Sequence, residues 1–273
     1  MEAAARLRRE ARAFGSAARQ AAARGGTTLV PSCPAWSMAD LVLHLGGVHR
    51  FVIVLIRDRL PAPPDLATVA RTESPPSMDG WPSMDGTPSA GPIPPTLLDW
   101  FDEGVERLVE QFGRHAPDDP AWTWSREQTV GFWLRMQVIE AAVHRWDAEN
   151  AVGTARPIPP DVAVDAIPQT FEVMAPQRRA WSQAPPGKGE SYRFVRTDGP
   201  GEWLVRFDGE HVRLADSGPA NVEQADGGPA DVELAGTASD LMLFLWGRLP
   251  ADGLDVRGDQ AVLDRYFALV PPV

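Results

Sequence analysis

Apolar residues recur at three- and four-residue steps through the first 150 or so positions, and the runs between them are polar or proline-rich. From Glu2 to Arg24 the positions Leu7, Ala11, Phe14 and Ala18 share a face and Gly25-Gly26 follows, which predicts a helix with a glycine stop. After a stiff connector from Val30 to Trp36, Ser37 has N-cap chemistry with Asp40 three residues on, and Leu41, Leu45, Val48, Val52 and Leu55 form a stripe. A second helix is expected over Met38–Arg59. Thr96 is the expected cap of a third helix, Leu97–His115, with Leu98, Phe101, Val105, Leu108 and Phe112 inward, and a fourth is expected over Arg126–Ala151. Four amphipathic helices predict a bundle.

The pattern changes after Pro157. A short helix around Val162–Met174 precedes alternating runs at Tyr192–Arg196, Glu202–Phe207, His211–Leu214 and Val232–Leu234, which read as strands, and two helices, Ala238–Arg248 and Gln260–Leu269, close the chain. The fold class is therefore α+β: a helical bundle over 1–157 followed by a smaller α+β domain over 158–273. Two segments interrupt this plan. Pro61–Pro95 is rich in Pro, Ser, Gly and Asp and repeats Pro-Ser-Met-Asp-Gly at 76–80 and 82–86, so it is expected as a mobile loop; Ala215–Glu223 is repeated at Ala225–Glu233 and is expected to lengthen a turn.

Composition narrows the function. The 273 residues carry a net charge of −11, which repels phosphate backbones, and no basic patch offsets it, so nucleic-acid binding is not expected. Cys33 is the only cysteine and makes no internal disulfide possible. The N-terminus has no apolar signal-like core and no apolar run reaches the ~18 residues that span a bilayer, so a soluble cytoplasmic protein without membrane contact is expected. Lys188, the only lysine, lies in a Pro/Gly turn unsuited to Schiff-base chemistry, and no glycine-rich phosphate loop occurs.

The candidate chemistry is a three-residue set. Glu140 and His144 are four apart on the fourth helix and project from one face, and His44 belongs to the inward stripe of the second. Two bundle helices could thus aim His44, Glu140 and His144 at one interior point, the His2Glu inventory of a catalytic zinc site with one position open, with Asp147 available behind His144. The same residues also fit a surface Glu/His pair and a hydrogen-bonded core histidine, and spacing alone leaves both readings open. His49 reads as a helix-edge structural residue, His115 and His211 as near-solvent, and Cys33 as a small packing residue between prolines.

Three segments bear on that choice: VPSCPAWSMADLVLHLGGVH from Val30 to His49, FWLRMQVIEAAVHRWD from Phe132 to Asp147, and ASDLMLFLWGRLP from Ala238 to Pro250. Together they resemble the actinobacterial maleylpyruvate isomerase family, over nearly the whole chain apart from the two duplicated segments. The resemblance implies a DinB-type metal-binding four-helix bundle joined to a sterol-carrier-protein-like domain, with the family's metal ligands falling on His44, Glu140 and His144. It implies a divalent metal, with zinc the first expectation, and mycothiol as cosubstrate, in a monomer or homodimer acting on a small electrophile. On that basis a metal-ionised thiol adds to an electron-poor carbon and is either expelled, giving cis–trans isomerisation, or retained, giving thiol transfer. Arg248, the candidate for a catalytic arginine of the second domain, and Arg145 are the cations expected to meet a carboxylated substrate. Arg248 equally suits a helix C-terminus. A thiol-independent tailoring or hydrolytic enzyme using metal-bound water and a non-catalytic binding protein are the alternative classes.

Overall fold

The fold, a computed structural model, describes residues 2–74, 87–215 and 230–272. The chain forms two compact units, Met1–Arg156 and Pro157–Val273. The first contains α1 (Glu2–Ala23), a short antiparallel hairpin of β1 (Leu29–Val30) and β2 (Cys33–Ser37), α2 (Met38–Arg57), α3 (Leu66–Glu73), α4 (Pro95–Arg114) and α5 (Val130–Val152).

The helix starts follow from local chemistry. The Ser37 hydroxyl accepts from the Asp40 N–H, and the Asp40 carboxylate accepts from the Ser37 N–H at 2.8 Å, a capping box that uses Asp. Burial pushes the Asp40 carboxyl up, but donations from Ser89 and Ser37 outweigh it and hold the group below its ordinary value. Helix α4 starts earlier than its expected Thr96 cap. Pro94 is the N-cap and Pro95 fills the first helical position, where its missing N–H would have no intrahelical partner anyway. The Val30–Trp36 segment, expected as a connector, is the β1–β2 hairpin, closed where the Met38 N–H donates to the Thr28 carbonyl at 2.8 Å.

The expected loop from Pro61 to Pro95 needs correction over its first third. Asp65 accepts from the N–H groups of Ala67 and Thr68 and so nucleates α3, whose last residue, Glu73, accepts from Arg107 on α4 at 2.9 Å. Both copies of Pro-Ser-Met-Asp-Gly lie outside the described residues.

In the bundle α1 packs along α5 and α2 along α4, with Phe14 and Phe101 at 4.8 Å between ring centroids. Helix α2 is long and apolar enough to cross a membrane by length and composition, against the sequence expectation; it is largely buried as a bundle helix. Its Gly46 lets the Trp100 ring approach the backbone, and a Cβ there would overlap that ring. The ring cannot easily retreat, because the Arg50 guanidinium lies 3.7 Å from its centroid and its indole N–H donates to the Glu73 carbonyl at 2.7 Å. Gly46→Ala is therefore expected to cost ~1–3 kcal/mol by overpacking, read as a lowered unfolding midpoint with altered tryptophan emission. An unchanged midpoint would show that the ring moves freely.

The second unit begins with α6 (Pro160–Gln169), which runs through a π-helical turn at Thr170–Met174 into α7 (Ala175–Ser182), longer than the helix expected to end at Met174. A five-stranded sheet follows, of β3 (Gly187–Arg196), β4 (Glu202–Gly209), β5 (His211–Ala215), β6 (Val232–Gly236) and β7 (Asp255–Gly258), in the order β5-β4-β3-β6-β7. Among the described strands only β3 and β6 pair in parallel, with Tyr192 opposite Val232; the other neighbours are antiparallel, as with Phe194 opposite Trp203. Strand β7 was not foreseen, because Asp-Val-Arg-Gly offers a single apolar residue. Most of the second duplication lies outside the described residues, and the end of its second copy begins β6. Helix α8 (Ala238–Leu245) and the short α9 (Gln260–Asp264) and α10 (Tyr266–Leu269) complete the unit, with Tyr192, Phe194, Phe207, Phe244 and Tyr266 in its core.

Candidate metal centre

Helix α5 is buried on nearly every face, yet carries Gln137, His144, Arg145, Asp147 and Glu149 among its buried residues. Polar side chains placed so deep need partners, and His144 with Asp147 and Arg145 with Glu149 find them in two separate groups.

The first group is the expected set. His44, Glu140 and His144 each offer a ligand atom, and these atoms lie within 4.8 Å of one another. The His44 and His144 rings meet edge-on at 5.0 Å between centroids, and His144 Nε2 lies 3.3 Å from a Glu140 oxygen. His144 Nδ1 donates to Asp147 Oδ2 at 3.0 Å, so Nε2 is the nitrogen left to face Glu140 and His44. Burial pulls the His144 pKa down, but the hydrogen bonds to Asp147 and Glu140 prevail and hold it above its ordinary value. Two imidazoles and one carboxylate, converging with a fixed tautomer on one ring, fit a divalent cation of the zinc type.

Two residues of the β1–β2 hairpin also belong here and were missed from sequence, where Val30–Trp36 read only as a connector. The Trp36 ring sits 4.6 Å from the His44 ring and 6.4 Å from the His144 ring, and Ser32 Oγ donates to Asp147 Oδ1 at 2.6 Å. The proline-flanked sequence around Cys33 was the available signal, since such a segment is stiff enough to hold a side chain over a site. Cys33 itself is partly buried and packed against the bundle core.

The second group contains Arg145. Its guanidinium donates to Glu10 of α1 at 3.0 Å, to Glu149 at 2.7 Å and to the Arg156 carbonyl at 2.8 Å. The structure thus places Arg145 in a buried ion network joining α1 to α5, whereas the sequence offered it as a substrate contact. Arg248 follows α8, with its guanidinium donating to the Trp246 carbonyl at 2.8 Å. His49, expected at a helix edge, is fully buried with neither ring nitrogen hydrogen-bonded. His115 pairs with Asp119 at 3.2 Å, and His211 is exposed on β5.

Comparison with known proteins gives the same direction. The chain has 14% identity to the crystal structure of the mycothiol-dependent maleylpyruvate isomerase, with a TM-score of 0.54 over 93% of this chain and 91% of that one. A crystal structure of a single-residue mutant of that isomerase matches with the same identity, coverage and TM-score. At this identity the likeness establishes the fold. No curated protein matches the chain in sequence. Residues 4–149 match the mycothiol maleylpyruvate isomerase N-terminal domain and residues 161–265 the C-terminal domain of the same family, and the chain belongs to the mycothiol maleylpyruvate isomerase family.

Proposed function

We propose that this chain is a metal-dependent, cytoplasmic enzyme that uses mycothiol to isomerise, or transfer a thiol to, a small electron-poor substrate. The observation that carries the reading is the convergence of His44, Glu140 and His144, with ligand atoms within 4.8 Å, in a chain of this family. A solved neighbour is a mycothiol-dependent maleylpyruvate isomerase, which makes an unsaturated diacid the first substrate class to test.

When bound, a zinc-type cation supplies Lewis acidity that ionises a thiol near neutral pH. The chain's own residues set the conditions for this. His44 and His144 present ring nitrogens, Glu140 contributes one negative charge, and Asp147 keeps the Nδ1 proton of His144 in place. Trp36 lies against both imidazoles and limits water on that side. A thiolate that adds to the electron-poor carbon turns the double bond into a single bond that rotates. Expulsion of the same thiolate restores the double bond in the trans geometry, and its retention, with the proton lost by the thiol returned to the adjacent carbanion, gives the thioether. Arg248 is the proposed partner for a substrate carboxylate. Arg145, held by Glu10 and Glu149, is assigned to the scaffold.

The test joins metal content to turnover. One zinc-type ion per chain is expected, and His144→Ala is expected to weaken binding by more than the ~10–100-fold typical of outer-shell changes. Turnover of an unsaturated diacid should need both mycothiol and metal, and Cys33→Ala should leave it largely intact. Full metal occupancy in His144→Ala would overturn the site. Undiminished rates without thiol in metal-replete enzyme would move the reaction to metal-bound water.

A further inference from the structure

The hairpin between α1 and α2 touches the candidate centre at two points. Its β2 strand brings Trp36 against the His44 ring, and its turn brings Ser32 to Asp147. Asp147 is fully buried, three residues beyond His144, and both of its oxygens accept hydrogen bonds: Oδ2 from His144 Nδ1 at 3.0 Å and Oδ1 from Ser32 Oγ at 2.6 Å. The terminal torsion of an aspartate is broad and roughly two-fold, so a single hydrogen bond leaves the carboxylate plane loosely defined. A second donor on the opposite oxygen fixes it, and with it the plane of the imidazole that it holds.

We propose that Ser32 is a positioning residue for the metal centre, acting through Asp147 to lock His144 as the Nδ1–H tautomer with Nε2 toward Glu140 and His44. This rests on the metal-binding reading of those three residues. The hairpin suits the task because its two ends are tied: Leu29 pairs with Ser37, and Ser37 is fixed in turn by the α2 capping box. The backbone at Ser32 is thereby referred to α2, which carries His44, while its hydroxyl reaches α5, which carries Glu140 and His144. The hairpin would then set the distance between the two halves of the ligand set.

The test uses the full-length, metal-free protein and Zn²⁺ as the probe, with affinity read by competition against a chelator and the His144 ring nitrogens by long-range ¹H–¹⁵N spectra. Ser32→Ala is expected to weaken Zn²⁺ binding about tenfold, and Asp147→Asn by 10–100-fold, the range for residues that orient metal ligands. At a pH high enough to deprotonate the His144 imidazolium, the His144 ring signals of metal-free Ser32→Ala should lose the pure Nδ1–H pattern, while Ser32→Thr, which keeps the hydroxyl, should restore both affinity and pattern. A Ser32→Ala protein with wild-type affinity and unchanged His144 signals would overturn the proposal, as would a threonine variant no better than alanine. If the wild-type chain binds no Zn²⁺, the metal reading fails by itself. The ring spectra of the metal-free protein then decide the relay alone, with an unchanged tautomer pattern in Ser32→Ala overturning it.

Discussion

Replacing Arg145 by methionine is expected to cost about 3–5 kcal/mol of stability, the range for removing one partner from a buried ion network. The side chain is 3% exposed and its partners Glu10 and Glu149 are each 4% exposed, so the substitution takes one cation from two buried carboxylates and leaves Glu10 to Arg9 and Glu149 to Arg156. Burial pushes the Glu149 carboxyl up, but hydrogen bonds from Arg156 and Arg145 outweigh it and hold the group below its ordinary value. A carboxyl held low in the folded state contributes stability that is present near neutral pH and is lost as pH falls through the acid range. Methionine at 145 removes one of those two arginines, so both the neutral-pH stability and its acid dependence should shrink. Equilibrium urea unfolding of the metal-free protein at neutral pH measures the first, and a loss under about 1 kcal/mol would show that water reaches the network. Zn²⁺ affinity of the folded variant should stay near wild type, because the bonds from Arg145 to Glu10, Glu149 and the Arg156 carbonyl tie α1 to α5 and involve none of His44, Glu140 and His144. A variant of full stability that turns over poorly would instead return Arg145 to the substrate.

The contrast between Arg145 and His144, neighbours on one helix, shows what was legible before the structure. Helical periodicity located α1, α2, α4 and α5, and the i, i+4 relation of Glu140 and His144 follows from helix geometry alone. That His44 meets them depends on how α2 packs against α5, which no local pattern encodes; the family motifs supplied it. Direction around a fully buried helix was not legible. Helix α5 has apolar residues on every side, so its sequence does not say which face Arg145 takes. The β1–β2 hairpin was missed for a related reason: two very short strands flanked by prolines lack the alternation that marks a sheet. Helix α3 was missed because the proline content around it suggested a loop, while the ties that hold it, Glu73 to Arg107 and to the Trp100 indole, are tertiary.

His49 carries the second large expectation, and its effect should appear in acid. Full burial, reinforced by the charge of the neighbouring Arg50 and opposed by Glu140, lowers its pKa to about 3, with His144 and His44 adding smaller downward contributions. Its ring packs at 5.5 Å from Phe101, and neither nitrogen has a hydrogen-bond partner. The folded state thus keeps His49 neutral over a range in which the unfolded chain, at about 6.5, binds a proton. Between those two values the unfolded state holds more protons, so stability must fall as pH falls. At 1.36 kcal/mol per unit, the interval from 6.5 down to pH 4 amounts to about 3 kcal/mol from this one side chain. His49→Leu, close in volume and without polar atoms, removes that dependence and leaves neutral-pH stability equal or slightly higher, since no hydrogen bond is lost. The measurement is urea unfolding of metal-free wild type and variant at pH 7 and pH 4. The wild type should lose about 3 kcal/mol more than the variant between the two, because the acid loss from Glu149 is common to both. Parallel losses would mean that the folded protein accepts a proton at His49, and hence that its ring has a partner in solution.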